Sequence, residues 1–385
     1  MRRRRIATWA VAPWLLSLVA MAGAQDAPSP ADVRRLAQEA GLDSLGSVAV
    51  PLPSNLRDYL LPGAAARRAA VQLGKALFWD AQVGSDGQAC ASCHFHAGAD
   101  NRTKNQLSPG LRNENSARRA TFDPTASGGG GPDYDLTAGD FPFHQLDDPQ
   151  DRTSAAVHDS DDVASSQGVF AARFTGIVRG RADEKGIAEA DPVFDVGGVN
   201  VRRVASRNSP SVINAVFNVV NFWDGRAHAL FNGVSTFGPL DATATVLVDS
   251  GRALVPRTIA IDHGSLASQA VGPPTSDLEM AFRGRPFPAL GRKLLALRPL
   301  GQQLVHPRDS VLGALARARL GGGQVTGKPG LTIGYADLVK RAFQRQYWSS
   351  GQRVGGYSQM ENNWSLFFGL AIELYESTLV ADDSP

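Results

Sequence analysis

Cys90-Ala91-Ser92-Cys93-His94 holds both cysteines of a 385-residue chain, and the rest of the sequence is read outward from it. Two thiols three positions apart, followed by an imidazole, form the attachment pattern of a c-type haem. Each thiol forms a thioether with one vinyl group, and the histidine ligates iron from the proximal side. On this reading Cys90 and Cys93 tether the group and His94 binds the metal. A structural zinc site would need four ligands, and with no other cysteine it would have to recruit His94, His96 or a remote residue. A thioredoxin-like redox pair sits beside a βαβ pattern, which this sequence lacks.

Upstream, Arg2 to Arg5 precede an apolar stretch from Ile6 to about Met21 and then Ala22-Gly23-Ala24. A charged start, an apolar run and a small-residue site read as a secretion signal cleaved after Ala24, and so as a periplasmic protein. A retained anchor is the alternative, since the run approaches the ~20 residues of a spanning helix, but Pro13 interrupts it. The arginines also allow a paired-arginine export route. With 43% apolar residues and a formal net charge of +2, the chain can bury a large core and is not built to bind nucleic acid.

Residues 25–63 read as a linker carrying a short helix at Ala31–Ala40. The stretch Ala64–Trp79 is rich in helix formers, with Ala70, Leu73 and Leu77 spaced by three and four. Between Gly98 and Val204 the composition turns to Gly, Asp, Ser, Thr and Asn, including the run Gly128–Gly131, and is read as a loop-rich insertion. Further helices are expected at Ser209–Val220, where Ser209 can cap and Pro210 suits the first turn. Others are expected at Pro286–Val305, Asp309–Leu320, Tyr335–Phe343 and Ser358–Leu379. Period-2 strands are scarce, so the expectation is a mainly α fold, a cytochrome c-like haem domain with long loop insertions. It would span residues 64–345, with 346–385 a C-terminal helix leading towards a second haem domain.

Several ordered blocks then carry a resemblance. Leu73-Gly-Lys-Ala-Leu-Phe-Trp-Asp80 before Cys90, Asn208-Ser-Pro-Ser-Val-Ile-Asn-Ala-Val-Phe-Asn218, Phe222-Trp-Asp-Gly-Arg-Ala227, and Gln269-Ala-Val-Gly-Pro273 followed by Glu279-Met280 together resemble the bacterial di-haem cytochrome c peroxidase / MauG family. The blocks cover most of residues 64–300. The resemblance implies that His94 is the proximal ligand of the peroxide-reducing haem and that Glu279 is the distal acid-base. Trp223 would assist electron transfer, Arg226 would play a structural or propionate-pairing role, and Asn208 would help bind a calcium ion. It also implies hydrogen peroxide as substrate, a small cytochrome c or cupredoxin as electron donor, and a homodimer as one possible assembly.

Independently of any family, cleaving a peroxide O–O bond needs an iron centre and a positioned carboxyl to relay the proton. An electron-carrying cytochrome would instead present a second axial ligand, for which Met280 and Met360 are the methionines of the mature chain. A haem-dependent oxygenase or protein-modifying oxidase is a third class. His96 and His144 are candidate distal ligands, while His158, His228, His263 and His306 receive no role. The sequence departs from the family in carrying one attachment motif instead of two, and is expected to be an N-terminal portion or a form without the electron-accepting half. Its second departure is the long 98–204 insertion.

Overall fold

A computed structural model describes residues 29–42, 45–101, 137–142, 144–159, 166–192, 194–196, 198–205 and 207–382. The expected secretion signal and the run Gly128–Gly131 lie outside them. Among the described residues the helices are α1 (Pro30–Glu39), α2 (Ala64–Trp79), α3 (Cys90–Cys93), α4 (Ser265–Ala270), α5 (Phe287–Leu295), α6 (Tyr335–Ala342), α7 (Gln359–Asn362) and α8 (Trp364–Glu376). The strands are β1 (His144–Leu146), β2 (Ala156–Asp159), β3 (Ala172–Ile177), β4 (Glu184–Ala188), β5 (Asp195–Val196), β6 (Val199–Asn200), β7 (Val246–Asp249), β8 (Leu254–Arg257), β9 (Ala316–Gly321), β10 (Gln324–Leu331), β11 (Arg353–Val354) and β12 (Tyr357–Ser358). They pair consecutively into two-stranded antiparallel ribbons.

The chain divides into residues 1–49 with 382–385, and residues 50–381. In the first unit α1 starts at Ser29, whose Oγ accepts from the Asp32 amide at 3.2 Å, with Pro30 in the first turn where its missing N–H costs nothing.

The core of the second unit is built on α2 and α8. All thirteen residues of α8 are buried, the polar Ser365, Glu373 and Glu376 among them. On α2 the buried positions Ala66, Ala69, Ala70, Leu73, Ala76 and Leu77 recur at three and four residues. The two helices touch backbone to backbone: a Cβ on Gly74 would stand 1.8 Å from the Ala371 carbonyl oxygen. Glycine is therefore required there by the close approach. Gly74→Ala must push the helices apart and is expected to cost about 1–3 kcal/mol or more. Chemical denaturation measures it, and a loss within about 0.5 kcal/mol would mean that the helices do not meet at this point. Helix α2 ends at Asp80, whose buried carboxylate accepts from Leu300 N and Tyr335 Oη, each at 2.7 Å, and so anchors the chain just before the cysteine motif.

The expectation of a mainly α fold is corrected: among the described residues 32% are helical and 18% lie in strands, a mixed α/β composition. Two features produce the difference. Where loops were expected between residues 98 and 204, the described part contains the ribbons β1–β2, β3–β4 and β5–β6. Beyond residue 245 three more ribbons turn on short loops. In β9–β10 and β11–β12 the loop residues Gly322-Gly323 and Gly355-Gly356 have φ values of 57, 79, 58 and 80°, the left-handed pairs that match the twist of a tight hairpin.

The helix expected at Ser209–Val220 does not form. Its amides bond elsewhere, Val212 N to Ala97 O at 3.0 Å and Asn214 N to Leu379 O at 2.9 Å, and Asn214 takes φ 64°. One 3₁₀ turn remains, Ala215–Phe217. Similarly, Asp309–Leu320 runs into strand β9. The helices expected near residues 31–40, 64–79, 335–343 and 358–379 are present, the last divided at Asn363.

Candidate functional site

From the anchor at Asp80 the chain makes a turn, closed by Gly84 N to Gln88 O at 2.7 Å, and enters α3. One helical turn separates Cys90 from Cys93, so both thiols lie on the same side of α3, and they are not joined in a disulfide. Ser92 Oγ accepts from the Ala89 amide at 3.0 Å and fixes the first turn. His94 follows directly, with Nδ1 2.7 Å from the carbonyl oxygen of Pro210. A carbonyl can only accept, so Nδ1 carries the proton and Nε2 is the basic nitrogen. Burial holds the His94 imidazole below its ordinary pKa, against the pull of that hydrogen bond, which keeps it neutral as a metal ligand must be.

These residues face a cavity of about 710 Å³, within the range of small-molecule and cofactor sites. Phe78, Val212, Val234, Leu266, Val271 and Ile372 supply apolar wall. The Phe78 ring centroid is 6.2 Å from that of His94. Two thiols on one helical turn, an imidazole whose Nε2 is basic and a largely apolar cavity fit a covalently held porphyrin.

Glu279 lines the same cavity. A turn around Ser276 sets its backbone, the Ser276 carbonyl accepting from Glu279, Met280 and Ala281 N at 3.3, 3.1 and 2.9 Å. Burial raises the Glu279 carboxyl above its usual pKa, opposed by a hydrogen bond from Ser276 and the charge of Arg226. Met280 is buried and also reaches the cavity, whereas Met360 packs in the core on α7.

A second loop forms part of the cavity mouth. Asn221 and Ala227 close it with a pair of backbone hydrogen bonds at 3.1 and 3.2 Å, and Phe222 takes φ 61°, a strained conformation for an aromatic residue. Trp223 is 70% exposed, with Nε1 donating to Asn208 O at 3.4 Å. Arg226 sits 4.1 Å above the Phe222 ring and pairs with Asp224 at 2.5 Å, which Arg207 approaches at 3.7 Å. Asn208 lines the cavity, and its amide nitrogen donates to the Asp100 carbonyl at 3.1 Å. Among the described residues no group of three or more His, Cys, Asp and Glu side chains is arranged to hold a metal ion.

The structure thus brings Cys90, Cys93, His94, Asn208, Trp223, Arg226 and Glu279 to one cavity. His96 is exposed and outside its lining, with its ring against Phe95 at 4.5 Å. His144 begins strand β1.

Four residues supporting the Glu279 loop were not singled out from the sequence. Glu184 on β4 is 2.5 Å from both Arg285 Nη1 and Lys293 Nζ, and these side chains are fully buried. Burial opposes ionisation of Glu184, but the two cations prevail and hold its carboxyl below the ordinary range. Ser85 Oγ donates to Glu184 at 2.7 Å and accepts from Phe282 N at 2.8 Å, while Ser85 N donates to Met280 O at 2.9 Å. Arg285 also donates to the carbonyls of Val83 and Pro274, at 2.8 and 2.5 Å. One buried cluster therefore ties the Glu279 loop to the segment that leads into α3. A lone glutamate in a strand of the insertion gives no sequence signal of this.

A family model described as di-haem cytochrome c peroxidase matches residues 68–128 and 180–304. The matched stretches contain Cys90, Cys93, His94, Trp223 and Glu279, and the gap between them falls inside the insertion. No curated protein and no solved structure matches the chain.

Proposed function

The chain belongs to the di-haem cytochrome c peroxidase family, whose members are c-type haem redox enzymes, and on that premise we propose that it is an exported, periplasmic enzyme that reduces hydrogen peroxide with electrons from a small cytochrome c or cupredoxin. The observation that carries the reading is that Glu279 shares one cavity with Cys90, Cys93 and His94. No helix among the described residues is long and apolar enough to cross a membrane.

In this reading Cys90 and Cys93 hold haem c by thioethers, and His94 offers Nε2 to its iron while Pro210 fixes the ring. When bound, the haem supplies an iron centre that binds peroxide and passes electrons to it. Glu279 takes the proton from one peroxide oxygen and returns it to the other, so that water is the leaving group. Its raised pKa suits that task, because a relay must both accept and release a proton near the working pH. The apolar walls exclude bulk water. Arg226 would pair with a propionate, Trp223 gives an aromatic ring at the mouth for electron entry, and Asn208 would offer an oxygen to calcium.

The reading is tested by producing the protein beside a working cytochrome c assembly system. The expected product has one haem c per chain in a pyridine haemochrome spectrum, an openable sixth site, and turnover with peroxide and a reduced cytochrome. A colourless protein with unmodified thiols would sink it. Met280 in the cavity wall favours one other reading, a pure electron carrier in which His94 and Met280 would both bind the iron. That protein would be low-spin and inert to peroxide.

A further inference from the structure

Helix α8 carries two glutamates that the mechanism above does not use. Glu376 is 5% exposed and forms part of the cavity wall, and Glu373, one turn earlier on the same face, is fully buried. Both sit where an apolar residue would be ordinary. Glu373 accepts from Ala267 N through Oε2 at 3.2 Å, but its Oε1 is buried with no hydrogen-bond partner. Burial alone acts on the Glu376 carboxyl, with no hydrogen bond or cation among the described residues to offset it, and pushes it up to about 8. Burial pushes Glu373 up as well, against the hydrogen bond from Ala267 and with help from the charges of Glu376 and Asp262. Burial thus favours the neutral acid over the carboxylate at both positions.

Acids kept for packing alone would be expected to close their hydrogen bonds inside the protein. The open ends of these two point to partners that arrive with a ligand or with water. From α3, the Cys90 thiol is raised chiefly by burial and then by the charge of Glu376 and, more weakly, of Glu279, and all three residues line the cavity. From α2, Lys75 is committed to Asp309 at 2.7 Å and stands 5.9 Å above the Tyr375 ring. From α5, Arg292 and Lys293 are committed to Glu361 and Glu184. Helix α4 presents no titratable side chain. Just before α4 lies half-buried Asp262, which accepts from Ser54 at 2.6 Å.

We propose that Glu376 is a second proton-holding residue of this cavity, loaded and unloaded in step with the haem, and that Glu373 and Asp262 connect it to solvent. Reducing one hydrogen peroxide to two waters consumes two electrons and two protons. The electrons come from the redox-protein donor. Glu279 moves a proton between the two peroxide oxygens with no net gain, so the two consumed protons must enter from outside. Glu376 gives its proton into the cavity, and Glu373 returns one to it from the side of Asp262. The proposal rests on haem c filling the cavity, but its central claim, proton uptake coupled to haem reduction, does not need peroxide as the substrate.

The test is the midpoint potential of the haem-loaded protein as a function of pH, together with the reduced-minus-oxidised infrared spectrum in the protonated-carboxyl region. In the wild type the potential is expected to fall with rising pH around pH 8, approaching about 59 mV per pH unit for one proton per electron, with a carboxyl band that responds to reduction. Glu376→Gln keeps the hydrogen-bonding shape but cannot release a proton, and is expected to flatten that slope and remove the band at unchanged haem content. Should Glu376→Gln not fold, Glu373→Gln is expected to slow the proton uptake that follows rapid haem reduction. A potential and infrared band indifferent to Glu376, or an uptake rate indifferent to Glu373, overturns the inference while leaving the haem reading intact. A colourless protein overturns both.

Discussion

Glu279→Gln is expected to lower the rate of peroxide turnover by about 10²–10⁴-fold, the usual contribution of a positioned proton-transfer group, with haem content unchanged. The amide has nearly the shape of the acid and can still take the hydrogen bond from Ser276 that the carboxyl accepts, so the loop has no reason to move. What it loses is the ability to take a proton from one oxygen and give it to the next. Because burial raises this carboxyl above the ordinary range, the wild-type rate should change with pH at a point above the normal glutamate pKa. The variant should lack that inflection. Rapid mixing of ferric protein with peroxide measures both, and a rate within tenfold of wild type would remove Glu279 from the mechanism.

Glu184→Ala is the second large effect. It leaves Arg285 and Lys293, whose side chains are fully buried, without their shared anion, and removing one partner of such a pair costs about 3–5 kcal/mol. That is a large part of the 5–15 kcal/mol by which a folded domain is typically stable. The denaturation midpoint should fall with little change in slope. A loss below about 1 kcal/mol would mean that the cluster is solvated and holds nothing. Because Ser85 bridges Glu184 to Phe282, surviving haem protein should also react more slowly with peroxide.

The parts of the fold legible in sequence are those whose burial follows local spacing. Helix α2 was read at its observed ends because Ala70, Leu73 and Leu77 mark one face. Strand β9 was not, although Ala316-Arg317-Ala318-Arg319-Leu320 alternates with period two, because alanine, arginine and leucine are also strong helix formers. The glycines after it, which turn the hairpin, were the better signal. At Ser209–Val220 the cap and proline suggested a helix, yet Ala97 and Leu379 capture the amides, and no local pattern encodes partners so distant. The site divides in the same way. Cys90, Cys93 and His94 are contiguous and announce themselves, and Glu279, Trp223, Arg226 and Asn208 were reached through a family pattern. Glu376 was hidden in a helix read as apolar, where a Glu-x-x-Glu spacing amid buried aliphatics was the clue.

The backbone contact between Gly74 and Ala371 also orders assembly in time. The thiols follow α2 closely, but the side of their chamber made by Ile372 and Glu376 belongs to the last helix described. Until that helix is synthesised and seated, the chamber stands open and a porphyrin can reach both sulfurs unhindered. After seating, α8 would enclose a haem that the thioethers already hold, so exposure of the haem to solvent and undocking of α8 become a single event with one shared barrier.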